Sequence, residues 1–177
     1  RRGPLRLLVV GGRLGARALN EIVPQAIALM PANQRPTVVH QSGAAQIDAL
    51  RANYAAAGVE AELTPFIDDT ASAFAAADII VCRAGASTVT EIAAVGAASI
   101  FVPFPSAVDD HQTTNAQFLV NAGGGWLVQQ RDLTPQGLSE MLLKLERSTL
   151  VDVALKAKNM QKINATREVV TAWEELA

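Results

Sequence analysis

The sequence predicts an α/β fold, a Rossmann-like, doubly wound parallel sheet within one domain. Three observations predict it. Short, wholly apolar runs such as 79–82 have the character of strands covered on both faces. Helical stretches alternate with these runs along the chain, the order expected of parallel βα units. Glycine or proline stands at most junctions, and no repeat, low-complexity tract or linker divides the interior.

Residues 1–4 read as the tail of a linker, so chain upstream of them is expected. The first strand is 5–10, followed by a glycine-rich turn over 11–15 and a helix over 16–30. Pro24 falls inside that helix and is expected to kink or restart it. Pro31 and Pro36 bracket the loop to a strand at 37–40. A helix over 45–57 ends at Gly58, a C-cap glycine, and a short strand covers 60–64. The loop 65–69 leads into an alanine-rich helix, 70–76.

The second half repeats the alternation. The strand 79–82 precedes a helix over 88–95 closed by Gly96. The strand 99–102 opens into a long connection, 103–110, of the kind that carries function. A helix over 110–121, a triple glycine and a short strand at 126–128 come next. Three helices complete the chain, at 134–147, 150–158 and 165–176.

Composition narrows the functions. The chain has 177 residues, half of them apolar, 18% charged, and a net charge of −2. That length buries a real core, and that balance carries no electrostatic footprint for nucleic acid. No apolar run approaches the ~20 residues of a membrane span, and no signal peptide opens the sequence. A single cysteine, Cys82, excludes an internal disulfide. Its place at the end of a buried strand assigns it to packing.

The stretch around which the chain is organised runs from Asp78 to Glu91. A buried strand passes through Ala84, Gly85 and Ala86, where backbone can approach a ligand closely. A helix then starts, with Ser87 or Thr88 as N-cap. Unpaired N–H groups at such a start, at the carboxyl end of a parallel strand, suit an anion or polar ligand. Glu91 has two readings here. It completes a capping box with Thr88, or its carboxylate is there for the ligand.

Several chemistries are disfavoured. Gly11-Gly12-Arg13-Leu14-Gly15 misses the dinucleotide spacing, and the strand ending in His40-Gln41-Ser42-Gly43 supplies no ribose carboxylate, against an ordinary NAD site. There is no P-loop and no nucleophile elbow. His40 and His111 lack a clustered partner for zinc. Asp68-Asp69 and Asp109-Asp110 precede helices, where caps and first-turn charges belong. No metal and no cofactor are expected.

Five segments in register resemble one family. They are Val9 to Arg17, His40 to Gly43, Phe66 to Asp69, Cys82 to Glu91, and Val102 to Phe104 with His111 to Ala116. In that order the chain resembles the C-terminal half of the MurG family, bacterial UDP-N-acetylglucosamine transferases of peptidoglycan lipid synthesis. The resemblance runs from Gly3 to the final helix. It implies one half of a GT-B inverting glycosyltransferase, the half that binds the donor UDP-GlcNAc. The acceptor, lipid I, is then served by an N-terminal half absent from this sequence. That half also carries the family's membrane-facing patch and its candidate general base, so catalytic residues in this chain are unknown. The same resemblance implies a bacterial cytoplasmic location, at the inner face of the inner membrane for the whole enzyme.

Carried over residue by residue, Ile67 meets the uracil edge through its backbone, with Phe66 packing beside it. Glu91 accepts from the ribose hydroxyls, two donors suited to one carboxylate. Ala86, Ser87, Thr88, Val89 and Thr90 face the diphosphate and sugar. His111 and Gln112 lie near the N-acetylglucosamine hydroxyls, and Asn115 either joins them or is a packing amide. Arg13 stands where the family has a serine that helps hold the diphosphate, and it either pairs with phosphate or obstructs the turn. Two other readings stay open, the donor domain of another GT-B enzyme such as a UDP-GlcNAc 2-epimerase, and a non-catalytic domain.

Overall fold

A computed structural model describes residues 2–12, 15–106 and 109–176, with backbone alone at 162 and from 164 onward. Six strands form one sheet: β1 (Arg6–Val10), β2 (Thr37–Gln41), β3 (Glu62–Thr64), β4 (Ile79–Cys82), β5 (Ser99–Phe101) and β6 (Trp126–Leu127). Their order is β3-β2-β1-β4-β5-β6, and every pairing is parallel. This is the expected doubly wound sheet. Strand order reverses between β1 and β4, which opens a crevice beyond their carboxyl ends.

The helices are α1 (Arg17–Ala28), α2 (Ile47–Ala57), α3 (Thr70–Ala76), α4 (Ala86–Val95), α5 (His111–Val120), α6 (Pro135–Lys144) and α7 (Arg147–Leu176). Their apolar sides form two cores. Leu7, Val9, Ile79, Val81 and Ile100 point to one, with Leu19, Val23 and Ile27 of α1, Leu50 of α2 and Leu138 of α6. Leu8, Ile80, Cys82 and Phe101 point to the other, with Phe74 of α3, Ile92 of α4 and Leu119 of α5. Consecutive strand residues therefore enter opposite cores. That two-sided burial is why the strands are continuously apolar rather than alternating.

Four expectations need correction. Pro24 does not restart its helix, and α1 runs through it. The carbonyl of Asn20, which Pro24 has no N–H to meet, accepts instead from Asn53 Nδ2 at 3.0 Å. The helix placed at 88–95 begins at Ala86 with Gly85 as N-cap, and no side chain closes that cap. The capping-box reading of Glu91 therefore fails, because Thr88 lies inside the first turn. The helices drawn at 150–158 and 165–176 belong to one 30-residue helix, α7. Apolar periodicity lapses between them, but Lys158, Met160, Gln161 and Lys162 are good helix formers.

Other local signals hold. Gly58 (φ 67°) and Gly96 (φ 76°) end α2 and α4 in the left-handed conformation. Asp69 and Asp110 cap α3 and α5 by accepting from Ser72 N and Thr113 N. At the amino end of the sheet, Arg147 fastens α7 by donating to Asp78 at 3.1 Å and to the Gly3 carbonyl at 2.6 Å.

His40 is fully buried in a polar chain that joins β2 to α1 and α2. Its Nε2 lies 2.9 Å from Asn20 Oδ1, and its Nδ1 lies 2.7 Å from the Tyr54 hydroxyl. Asn20 Nδ2 donates to Gln46 Oε1 at 2.7 Å, so Asn20 Oδ1 faces His40 and can only accept. The imidazole is therefore neutral, with its proton on Nε2 and Tyr54 donating to Nδ1. Burial lowers its pKa to about 3. A folded value below the unfolded 6.5 means that stability is full above pH 6.5 and falls as pH drops toward 3. Urea unfolding at pH 7 and pH 4.5 should differ by about 2–3 kcal/mol from this group. His40→Gln should lower stability at pH 7 and flatten that pH dependence.

Candidate functional site

The crevice at the switch point is built by three segments following β1, β3 and β4, with a fourth from the connection before α5. The segment after β4 is decisive. Cys82 is fully buried, and burial pushes its thiol pKa far up, so it serves packing. Ala84 is buried, while Ala86 and Ser87 emerge on the surface. The first intrahelical bond of α4 is Val89 N to Gly85 O, at 3.0 Å. The N–H groups of Ala86, Ser87 and Thr88 precede it and meet no acceptor among the described residues. They aim the positive end of the α4 dipole at the crevice. Glu91 lies one turn along, below Ser87 and Thr88. It is half-buried and has no hydrogen-bond or ion-pair partner among the described residues.

The expected site residues are not all placed alike. Val89 is buried in the second core and its N–H is occupied, so its side chain does not face the crevice. Thr90 is exposed on α4. Gln112 Oε1 accepts from Ala84 N at 3.1 Å and from Phe104 N at 2.9 Å. It ties the β4–α4 turn to the 103–110 connection, and its Nε2 donor has no described partner. Asn115 Nδ2 donates to Ala84 O at 3.0 Å, a packing contact at the same turn. His111 is exposed, 2.8 Å from Asp109. Ile67 packs on the second core. Phe66 is exposed, and its carbonyl accepts from Thr64 Oγ1 at 2.6 Å. Asp69 accepts from the Ser72 hydroxyl and N–H, which hold its carboxyl below the ordinary range. Arg13 lies outside the described residues.

Gly11 and Gly15, in the turn after β1, serve packing. A Cβ on Gly11 would stand 2.9 Å from Ala16 N, and one on Gly15 would stand 2.3 Å from the Ser42 carbonyl oxygen. Both glycines let backbone meet backbone. Gly11 N donates to Gln41 O at 3.1 Å and Gly12 N to Gln41 Oε1 at 3.0 Å. The described N–H groups of this turn are thus already paired, whereas those that open α4 have no partner among the described residues.

Sequence reasoning gave no role to Arg83 or to the Gln41 side chain. Arg83 follows β4, donates to the carbonyls of Val102 (3.3 Å) and Pro103 (3.4 Å), and lies 5.6 Å from the Phe104 ring centroid. Its buried Nε has no partner, and burial lowers its pKa. The available signal was a charged residue between an apolar strand and a small-residue turn. Among the described residues no group of three or more His, Cys, Asp or Glu is placed to hold a metal ion, and no helix is long and apolar enough to cross a membrane.

Residues 6–172 match the family described as Glycosyltransferase family 28 C-terminal domain. The chain belongs to that family. Within glycosyltransferase family 28, it is 76% identical over 99% of its length to the UDP-N-acetylglucosamine–N-acetylmuramyl-(pentapeptide) pyrophosphoryl-undecaprenol N-acetylglucosamine transferase of Paracidovorax citrulli, covering 50% of that protein. It is 75% identical over its full length to the protein of the same name from Polaromonas naphthalenivorans, covering 49% of it. The crystal structure of Acinetobacter baumannii MurG superposes with a TM-score of 0.82 at 44% identity, over 90% of this chain and 46% of that one. The chain therefore spans about half the length of the relatives it matches. The expected family resemblance is borne out.

Proposed function

We propose that this chain is the UDP-GlcNAc-binding half of a transferase that adds N-acetylglucosamine to lipid I to form lipid II in bacterial peptidoglycan synthesis. The observation that carries this reading is the Glu91 carboxylate, which has no partner among the described residues and is set one turn below N–H groups of α4 that likewise have none. A carboxylate for a vicinal diol beside N–H donors for an anion suits a nucleoside diphosphate. The names of the full-length relatives supply the sugar and the acceptor. The acceptor half of the enzyme is assigned to the remaining length of those relatives, and the whole enzyme to the cytoplasmic face of the inner membrane.

In this reading the muramyl C4 hydroxyl attacks the anomeric carbon of the donor. The new C–O bond forms as the bond to the β-phosphate breaks, with inversion; the hydroxyl proton passes to a general base assigned to the acceptor half, and UDP leaves. Negative charge grows on the leaving diphosphate, and Ala86, Ser87 and Thr88 N–H groups stabilise it from fixed positions. Glu91 holds the ribose, the Ile67 backbone meets the uracil edge, and Gln112 Nε2 reaches a sugar hydroxyl. His111 and Thr90 flank the sugar end. The chain alone binds donor without turnover. Calorimetric titration with UDP, UDP-GlcNAc and UDP-GalNAc tests the reading. UDP binding with preference for UDP-GlcNAc is expected, and no binding of UDP would end it.

Gln112 gives a separate expectation. Because Oε1 holds Ala84 N and Phe104 N, Gln112→Ala removes that brace and should weaken UDP as well as UDP-GlcNAc. Gln112→Glu keeps both acceptor contacts, replaces the Nε2 donor with an oxygen and adds a negative charge. Beyond the loss that this charge causes for both ligands, it should cost UDP-GlcNAc about 0.5–1.5 kcal/mol more than UDP. Equal losses for both ligands in Gln112→Glu would place Nε2 away from the sugar.

A further inference from the structure

Gln41 is a polar side chain, 5% exposed, at the carboxyl end of β2, between the strands that carry two walls of the crevice. All its polar atoms are used. Oε1 accepts from Gly12 N at 3.0 Å, and Nε2 donates to Gly12 O and to Pro65 O, each at 3.0 Å. One planar amide thus grips the glycine turn after β1 on both sides of one residue and grips the loop after β3 with its remaining hydrogen. Gly12 has φ +87°, and a Cβ there would meet nothing within 4 Å, so this part of the turn faces open space. The Pro65 end leads directly into Phe66 and Ile67. Two loops separated in the sheet by β2 are therefore held at one spacing by a side chain from that strand.

We propose that Gln41 is a positioning residue that fixes the glycine turn relative to the 65–67 loop, so that a nucleoside diphosphate spanning both meets one preformed site. This rests on the nucleotide-sugar reading above, with the base at 65–67, and adds that the diphosphate passes the open side of Gly12. Binding a ligand across two loops is strongest when their spacing needs no adjustment. A ligand that touches one loop gains nothing from that spacing. Gln41 touches no ligand itself and acts through Gly12 and Pro65.

The test compares the 177-residue chain with its Gln41→Leu variant, titrated with UDP by calorimetry and with uridine by NMR. UDP affinity is expected to fall at least tenfold, while uridine affinity changes less than threefold. Unchanged UDP affinity, or equal losses for UDP and uridine, would overturn the proposal. Gln41→Glu gives an independent readout if Gln41→Leu does not fold. Its carboxylate keeps the contact to Gly12 N but faces two carbonyl oxygens without a donor, and burial raises its pKa. Measured against wild type at the same pH, its UDP affinity should be at least tenfold lower at pH 8 and recover at least threefold by pH 5.5, as the acid regains one donor. A ratio independent of pH would also overturn the role. A wild-type chain that ignores UDP sinks the nucleotide reading itself, whereas a binding wild type with an indifferent variant sinks only Gln41.

Discussion

Glu91→Gln is expected to weaken UDP binding by at least ~1.5 kcal/mol, about tenfold, and to leave thermal stability almost unchanged. The affinity loss follows from the proposed bond between a carboxylate and the ribose diol, because a charge-assisted acceptor is roughly twice as strong as a neutral one. The unchanged stability follows from the structure. α4 starts at Ala86 with Gly85 as its cap, so Glu91 closes no capping box. It also makes no hydrogen bond or ion pair among the described residues, so no contact with them is lost on substitution. Calorimetry with UDP and a thermal melt of the same samples check both halves. Unchanged affinity with a clear drop in melting temperature would return Glu91 to a purely structural role.

Gly15→Ala carries the largest expected effect on stability. Its backbone has φ +80°, and an added Cβ would stand 2.3 Å from the Ser42 carbonyl oxygen and 2.8 Å from Gln46 Nε2. A left-handed alanine costs about 1–2 kcal/mol, and forcing a methyl into packed backbone adds about 1–3 kcal/mol. A loss of about 3 kcal/mol is expected, lowering the melting temperature of a domain this size by about 6–12 °C. Gly85 is the control. It has an ordinary φ and nothing within 4 Å of an added Cβ, so Gly85→Ala should cost only the N-cap preference for glycine over alanine, about 1 kcal/mol or less. Equal effects at the two positions would mean that the turn yields more easily than its contacts imply.

Much of the site's frame is written locally. Residues 79–82 and 70–76 form the strand and helix that their composition predicts, and Gly58, Gly96, Asp69 and Asp110 end or start helices as their chemistry requires. Glu91 and the small residues before it mark the crevice because a strand, a tight turn and a helix start are adjacent in sequence. Errors arise where a distant partner decides. Pro24 leaves α1 unbroken because Asn53, on another helix, meets the carbonyl that proline abandons. Gln112 and Asn115, expected near the sugar, are in part engaged by the protein itself: Ala84 and Phe104 occupy Gln112 Oε1, and Ala84 occupies Asn115 Nδ2.

The sequence by itself determined the βα alternation, the family and the place of the crevice, because periodicity, turn residues and caps act over a few neighbouring positions. Only the tertiary structure decided which polar groups remain available there. His40, Gln41, Asn115 and the N–H groups of Gly11 and Gly12 are matched to partners 14 or more residues away. A side chain's partner across the sheet depends on strand order and register, and no local pattern of residues encodes that distance. Among the described residues, the same packing pairs the N–H groups of Gly11 and Gly12 and leaves the Glu91 carboxylate and the first N–H groups of α4 without partners.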